Sequence, residues 1–394
     1  MSNSPFSPWP CFTSEEAEAV SRVLLSNKVN YWTGNECQEF EKEFAAWVGC
    51  NYAVALANGT VALELALRAL GIGPGDDVIV TPRTFLASVS CIIAVGARPV
   101  FADVGVDSQN ITVKTIRAVL TPQTRAIICV HLAGWPCDMN AIMTLAKEHD
   151  LKVVEDCAQA HGATCKGRSI GSIGHVGAWS FCQDKIMTTG GEGGMVTTND
   201  RDLWSRMWSY KDHGKSWEVV YENEHPSRLY FHWLYESFGT NGRMMEVQAV
   251  IGRIQLWRMA DWTARRTANA ARISDVLRHN RVVRVPEISD GLTHAWYRIT
   301  MFVRPEYLAE GWDRDRIMEE IFAQGVPCFS GICPEVYLEK AFDGTDFRPT
   351  KRLPVARQLG ETSLTFLVHP TLTDAEIDKT CAVADKVLVR ASQT

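Results

Sequence analysis

The sequence has no dense run of lysine and arginine, no Cys-x-x-Cys pair, no apolar stretch of about 18 residues and no internal repeat. The first absence, with a net charge of −6, argues against nucleic acid or an anionic membrane as partner. The second argues against zinc. The twelve cysteines are scattered and read as reduced, mostly buried thiols of a cytoplasmic protein. The third leaves no candidate transmembrane helix, and Met1 to Pro8 holds no basic segment followed by an apolar one, so no signal peptide is expected. What is present is ordinary for a folded chain: 394 residues, 46% hydrophobic and 22% charged, enough for a large core in two domains. The 13 tryptophans exceed the norm and fit a core or subunit interface.

Short apolar runs alternate with helical periodicity along the first two thirds of the chain. Strands are expected at Tyr52–Ala57, Asp77–Val80, Arg98–Asp103, Ala126–Leu132, Lys152–Asp156, Val176–Phe181 and Met195–Thr198. Helices are expected near Thr13–Leu25, Glu36–Val48, Val61–Leu70, Thr84–Val95, Thr112–Leu120, Asp138–Asp150 and Arg201–Lys211. Nearly continuous apolar strands alternating with helices predict a largely parallel sheet covered on both faces. Ligands of such sheets collect at the carboxyl ends of the strands. Residues 212–240 are irregular and aromatic-rich, with Tyr221, Tyr230, Phe231, Trp233, Tyr235 and Phe238; so long a loop is usually functional or interfacial. A helix then runs to Met259. Helices near Thr263–His279, Asp313–Gln324 and Asp374–Arg390, with strand-like runs at Val282–Val285 and Arg298–Val303, predict a smaller α+β domain. The expected division is an arm at 1–35, a large domain at 36–262 and a small domain at 263–394.

The chemistry concentrates in Val176–Thr198, where Lys185 and the run Gly190-Gly191-Glu192-Gly193-Gly194 separate two strands. Glycines so dense do not form a helix or strand interior. A lysine on such a loop can condense with an aldehyde cofactor if its amine is held neutral; taken alone it reads first as a solvated loop lysine. The glycine spacing fits neither the dinucleotide fingerprint nor the phosphate loop. Asp156 closes a buried strand, where a carboxylate needs a positive or polar partner or serves as a helix cap for Ala158–Ala160. Asn58-Gly59-Thr60 joins a strand to a helix start, a ready anion site or a plain turn. Phe85 follows another strand. Together these supply what pyridoxal phosphate requires: an amine, a carboxylate for the ring nitrogen, a phosphate cradle and an apolar surface for the ring.

At these residues the sequence resembles the DegT/StrS group of sugar aminotransferases. The likeness runs through Asn58-Gly59-Thr60-Val61-Ala62-Leu63, Gly96–Asp103, Glu155-Asp156-Cys157-Ala158-Gln159-Ala160-His161-Gly162, Ser180-Phe181, Lys185, Thr188–Gly194 and Asn241-Gly242-Arg243-Met244. The resemblance implies the aspartate aminotransferase fold: a fold-type-I α/β transferase with a mostly parallel central sheet sandwiched by helices and a smaller α+β C-terminal domain. It implies Lys185 as Schiff-base lysine and proton carrier, and Asp156 on the pyridinium nitrogen. Gln159 would contact the ring face or its phenolic oxygen, Phe85 would stack on the ring, and Gly59, Thr60 and Ser180 would hold the phosphate. Asn241 would reach the phosphate of the neighbouring subunit in a homodimer with shared active sites. The implied reaction moves an amino group from glutamate to a nucleotide-linked keto-sugar. The chain departs from the group in three places: Asn58 for a common serine, Gly242 for a frequent aromatic, and the segment Cys333-Pro334-Glu335 for a His-containing one. The last bears on substrate identity. A related dehydratase would carry His at position 185. An aminocyclitol aminotransferase would use the same machinery. A non-catalytic sensor would not need the lysine, aspartate and glutamine together, and a nicotinamide dehydrogenase would need the glycine fingerprint after the first strand.

Overall fold

A computed structural model describes residues 6–222, 234–331 and 334–393. Tyr230, Phe231, Trp233 and Cys333 lie outside the described residues. Seven strands form the central sheet: β1 (Tyr52–Leu56), β2 (Asp77–Val80), β3 (Arg98–Phe101), β4 (Thr124–Val130), β5 (Lys152–Asp156), β6 (Val176–Ser180) and β7 (Gly194–Thr198). Their spatial order is β1-β7-β6-β5-β4-β2-β3. The pairs β2–β3, β2–β4, β4–β5 and β5–β6 are parallel. Only β7 runs against its neighbours, β1 and β6. The expected mostly parallel sheet is therefore present, with one reversed strand inserted near its edge. The reversal follows from the Lys185 loop: with no crossover helix between β6 and β7, the chain can only fold back.

Helices α1 (Ser14–Leu25), α2 (Glu36–Val48), α3 (Gly59–Ala69), α4 (Ala87–Ala94), α5 (Val113–Arg117), α6 (Met139–Glu148) and α7 (Arg201–Lys211) accompany the sheet. One apolar core lies around α2, α3 and β1 and holds Phe40, Phe44, Leu63, Leu67 and Trp179; another, around Ile79, Ile127, Ile142 and Val153, covers further strands. Strands buried along their whole length, such as β6 and β7, read as unbroken apolar or small residues for that reason. Two local readings change. The helix expected from Thr84 begins only at Ala87, which leaves Thr84 and Phe85 in the loop after β2. Ala158–Ala160 is a turn rather than a helix start, closed by the Ala160 N–H on the Cys157 carbonyl.

Helix α8 (Glu246–Trp257) is followed at once by α9 (Met259–Leu277), which runs through position 262 without a break. Ala270, Ile273 and Leu277 of α9 enter a separate core with a four-stranded antiparallel sheet, β8 (Val283–Arg284), β9 (Ile299–Val303), β10 (Cys328–Phe329) and β11 (Ser363–Phe366), ordered β8-β9-β11-β10. Helices α10 (Arg314–Ala323), α11 (Pro354–Thr362) and α12 (Asp374–Ala391) accompany it. Phe6 of the arm is buried in this second core. Leu292–Thr293 adds a strand to the hairpin at Thr164–Cys165 and Arg168–Ser169, a separate three-stranded sheet that ties the carboxyl-terminal third to the segment between β5 and β6.

Candidate active site

The carboxyl ends of β5 and β6 and the turns after β1 and β2 open into one cavity of about 580 Å³. Seven of the eight residues singled out in the sequence line it: Gly59, Thr60, Phe85, Asp156, Gln159, Ser180 and Lys185. Asn241 does not; it is exposed and forms an isolated bridge with Asp212. A depression of similar size, about 610 Å³, lies by Trp312, Arg314 and Arg352. There Arg352 is paired with Glu335 and Glu361, and Arg314 donates to the Gly360 and Ser363 carbonyls. Its charges are already satisfied, so it offers no comparable chemistry.

Asp156 is the floor of the cavity. Its Oδ2 accepts from the Ser88 hydroxyl at 2.7 Å and its Oδ1 from the Ala158 N–H at 3.2 Å. Burial lifts its pKa, against the pull of Ser88, Ala158, Lys185 and His131. A cation at this floor would reverse the balance and hold the carboxylate ionised. The strand end itself is locked one residue earlier. Glu155, wholly buried, accepts from the N–H groups of Gly171, Ile173 and Gly174 at 2.9, 2.8 and 2.6 Å and faces His131 Nε2 at 3.1 Å. His131 Nδ1 accepts from Cys137 N–H, so its Nε2 carries the proton donated to Glu155. Cys157 Sγ lies close to this pair and contacts the Glu155 carbonyl. Gln159 is oriented by its Oε1, which accepts from Ala133 N–H at 2.7 Å and leaves the amide nitrogen for a ligand.

The opposite wall is a helix terminus. Asn58 caps α3 by accepting from Val61 N–H at 2.9 Å, so the Gly59 and Thr60 N–H groups stay free of intrahelical partners. Gly59 has to be glycine: a Cβ there would stand 2.6 Å from Ser180 Cβ and 3.1 Å from Ser180 Oγ. Gly194 allows the same close approach, since its Cβ would meet the Asn58 carbonyl at 2.3 Å. Phe85 forms the lip, 66% exposed, with an apolar face free for a planar ring.

Lys185 enters between these walls with its side chain 16% exposed. Its carbonyl accepts from the Trp9 indole N–H at 2.8 Å. Its Nζ stands 3.6 Å from Asp184 Oδ1 and 5.4 Å from the centre of the Tyr297 ring. Burial disfavours the ammonium, but Tyr297, Asp184, Cys182 and Asp156 outweigh it and raise the pKa of the amine. Trp9, Ser88, Asp184 and Tyr297 were not singled out from the sequence. Trp9 and Tyr297 lie 176 and 113 positions from the residues they contact, and no local spacing announces them. Ser88 carried a signal: it is the first inward-facing hydroxyl of the helix after β2.

The set fits pyridoxal phosphate. A lysine amine, a buried carboxylate, a helix-end cradle that a methyl group would fill and a flat apolar lip share one cavity. The comparisons agree. Residues 10–385 match the family profile described as the DegT/DnrJ/EryC1/StrS aminotransferase family. The GDP-perosamine synthase of Caulobacter vibrioides is 38% identical over 360 residues, 89% of this chain and 90% of that protein. An aminotransferase structure from Psychrobacter cryohalolentis is 62% identical, with a TM-score of 0.97 over 98% of this chain and 100% of that one. A Streptococcus pneumoniae protein solved in its PLP form is 26% identical, with a TM-score of 0.86 over 100% of both chains.

Proposed function

We propose that this chain, which belongs to the DegT/DnrJ/EryC1/StrS aminotransferase family and is a pyridoxal-phosphate-dependent aminotransferase, moves an amino group from glutamate to a nucleotide-linked keto-sugar. The amino sugar formed would serve a surface polysaccharide or a secondary metabolite. A relative at 38% identity is named a GDP-perosamine synthase, which supports the nucleotide-linked acceptor. The observation that carries the site is the meeting of Lys185 with Asp156 and the Gly59-Thr60 helix end in one cavity.

When bound, pyridoxal phosphate supplies an aldehyde that captures amines and a ring that withdraws electrons from the carbon next to the captured nitrogen. The chain supplies the rest. Lys185 Nζ would hold the cofactor and, as a free amine, would carry a proton between carbons of the reacting molecule. Asp156, kept in place by Ser88 and Ala158, would face the ring nitrogen and hold a proton there. Gln159 would present its amide to the ring, and Phe85 would cover it. Gly59, Thr60 and Ser180 bind the phosphate at the start of α3. Asn241, exposed and outside its own cavity, completes the phosphate site of a second copy in a homodimer. Residues 1–35 act as an arm, 36–262 as the cofactor domain and 263–394 as the small domain. The eleven cysteines among the described residues are unpaired, in keeping with a cytoplasmic reaction.

The test begins with borohydride reduction of the purified protein, after which the peptide containing Lys185 is expected to carry the cofactor mass. Lys185→Ala should lose that label and transamination together; full activity in this variant overturns the assignment. A panel of nucleotide keto-sugars with glutamate, read by mass shift, tests the acceptor, and no product from any of them rejects it. Mixing Lys185→Ala with Asn241→Ala chains should restore activity through one intact site per mixed dimer. Confirmed mixed dimers without activity reject the shared site.

A further inference from the structure

We propose that Asp184, held by Tyr297, is the counter-anion that positions the Lys185 amine for proton transfer. The inference rests on Lys185 being the reactive amine. A lysine that takes up a proton in a cavity becomes an ammonium cut off from bulk water, and an anion must stand by for it. Asp184 Oδ1 is 3.6 Å from Nζ. That is near enough to stabilise the charge and too far for a hydrogen bond that would hold the amine permanently. The other oxygen of Asp184 accepts from the Tyr297 hydroxyl at 2.5 Å, a short charge-assisted bond that fixes which way the carboxylate points.

Tyr297 is itself rigidly placed. It is buried, its N–H donates to the Ala133 carbonyl at 3.1 Å, and its carbonyl accepts from the buried Arg266 at 3.4 Å. Burial, with Asp184 beside it, holds the phenol above its ordinary pKa despite Lys185 and Arg298, so it stays a donor. Burial alone would lift Asp184 as well, but Lys185, the Tyr297 hydroxyl and Arg298 at 4.0 Å outweigh it and keep it ionised. Asp156, Cys182 and His161 also interact with Lys185, and Glu192 lines the same cavity. Asp156 belongs to the cavity floor and Glu192 lies against Cys182, so Asp184 is the carboxylate available to the amine. Tyr297 precedes β9 of the small-domain sheet, so the contact also couples that part of the chain to the lysine loop.

The experiment uses full-length protein freed of cofactor. Lys185 is labelled by formaldehyde and cyanoborohydride across a pH series, and the label is read by peptide mass spectrometry. Asp184→Asn is expected to lower the labelling midpoint of Lys185 by about one pH unit, a ten-fold change in its protonation equilibrium. Tyr297→Phe should shift it in the same direction by less, because the freed carboxylate swings to solvent. In the loaded enzyme both should reduce kcat about ten-fold with KM within about three-fold, the pattern of an interaction made on the way to the transition state. Midpoints unchanged in both variants, or raised by Tyr297→Phe, overturn the proposal. Should Asp184→Asn fail to fold, Tyr297→Phe decides alone. The labelling needs no turnover, so a shifted midpoint in a chain that never binds the cofactor covalently would reject the function and leave this pairing standing.

Discussion

Replacing Gly59 with alanine tests whether the start of α3 is a phosphate cradle. The new Cβ would lie 2.6 Å from Ser180 Cβ and 3.1 Å from its Cα. Ordinary contact begins near 3.4 Å, so the helix start and β6 must part by roughly 0.8 Å. A hydrogen bond of about 2.9 Å between a backbone N–H and a phosphate oxygen then stretches to about 3.7 Å and ceases to be one. Bonds to a charged group are each worth about 1.5–3 kcal/mol. Loss of two costs about 3–6 kcal/mol, or roughly a hundred- to ten-thousand-fold in the cofactor dissociation constant. The fold itself should suffer less: overpacking costs about 1–3 kcal/mol, and glycine to alanine in a helix returns up to about 1 kcal/mol. Affinity and stability are therefore expected to separate. Absorbance titration of cofactor-free protein with pyridoxal phosphate reads the first and thermal unfolding the second. A dissociation constant within about three-fold of the parent would refute the cradle argument, since no phosphate held by those two N–H groups survives such a shift.

Two further outcomes follow from the buried carboxylates. Ser88→Ala removes a hydroxyl that favours ionised Asp156, so the carboxyl pKa rises further and the acid limb of the rate profile moves to higher pH; kcat should fall about ten-fold, the worth of one hydrogen bond to a charged group. An acid limb that stays put would show that Asp156 does not govern the ring. Glu155→Gln should cost about 3 kcal/mol in denaturant unfolding, because one of the three N–H donors, or His131, is left facing an amide nitrogen. Glu155 is held below its ordinary pKa by His131 and the backbone donors, against its burial. The stability it supplies is therefore present above the carboxylate's unfolded pKa and is lost as pH falls through the lower folded value; a parent–variant difference that grows on acidification would contradict this.

Much of the frame was legible because apolar periodicity is local. The strands at Asp77–Val80 and Lys152–Asp156 and the helices at Glu36–Val48 and Arg201–Lys211 stand where their patterns put them. Asp156 and Gly59 were legible because each sits at a strand end or helix start, where topology gathers ligands, and Lys185 because it stands on the glycine-rich loop between β6 and β7. What escaped is non-local. The reversal of β7 depends on the missing crossover, not on its own residues. Thr84 and Phe85 continue a helical pattern, yet they belong to the cavity loop, where the Thr84 hydroxyl meets Ser88 at 2.7 Å. Tyr297 looks like any aromatic ahead of a strand, and only the folded chain sets its hydroxyl on Asp184.

The indole of Trp9 sits against Trp262, His369 and the Arg266 guanidinium while its N–H holds the backbone of Lys185. Trp9, though outside the cavity lining, thus braces the loop that carries Lys185. A purification tag fused ahead of Trp9 therefore adds its chain on the side of this contact, whereas one fused beyond α12 does not. Activities measured on differently tagged preparations should differ accordingly, and the carboxyl-terminal fusion is the one to use when comparing variants.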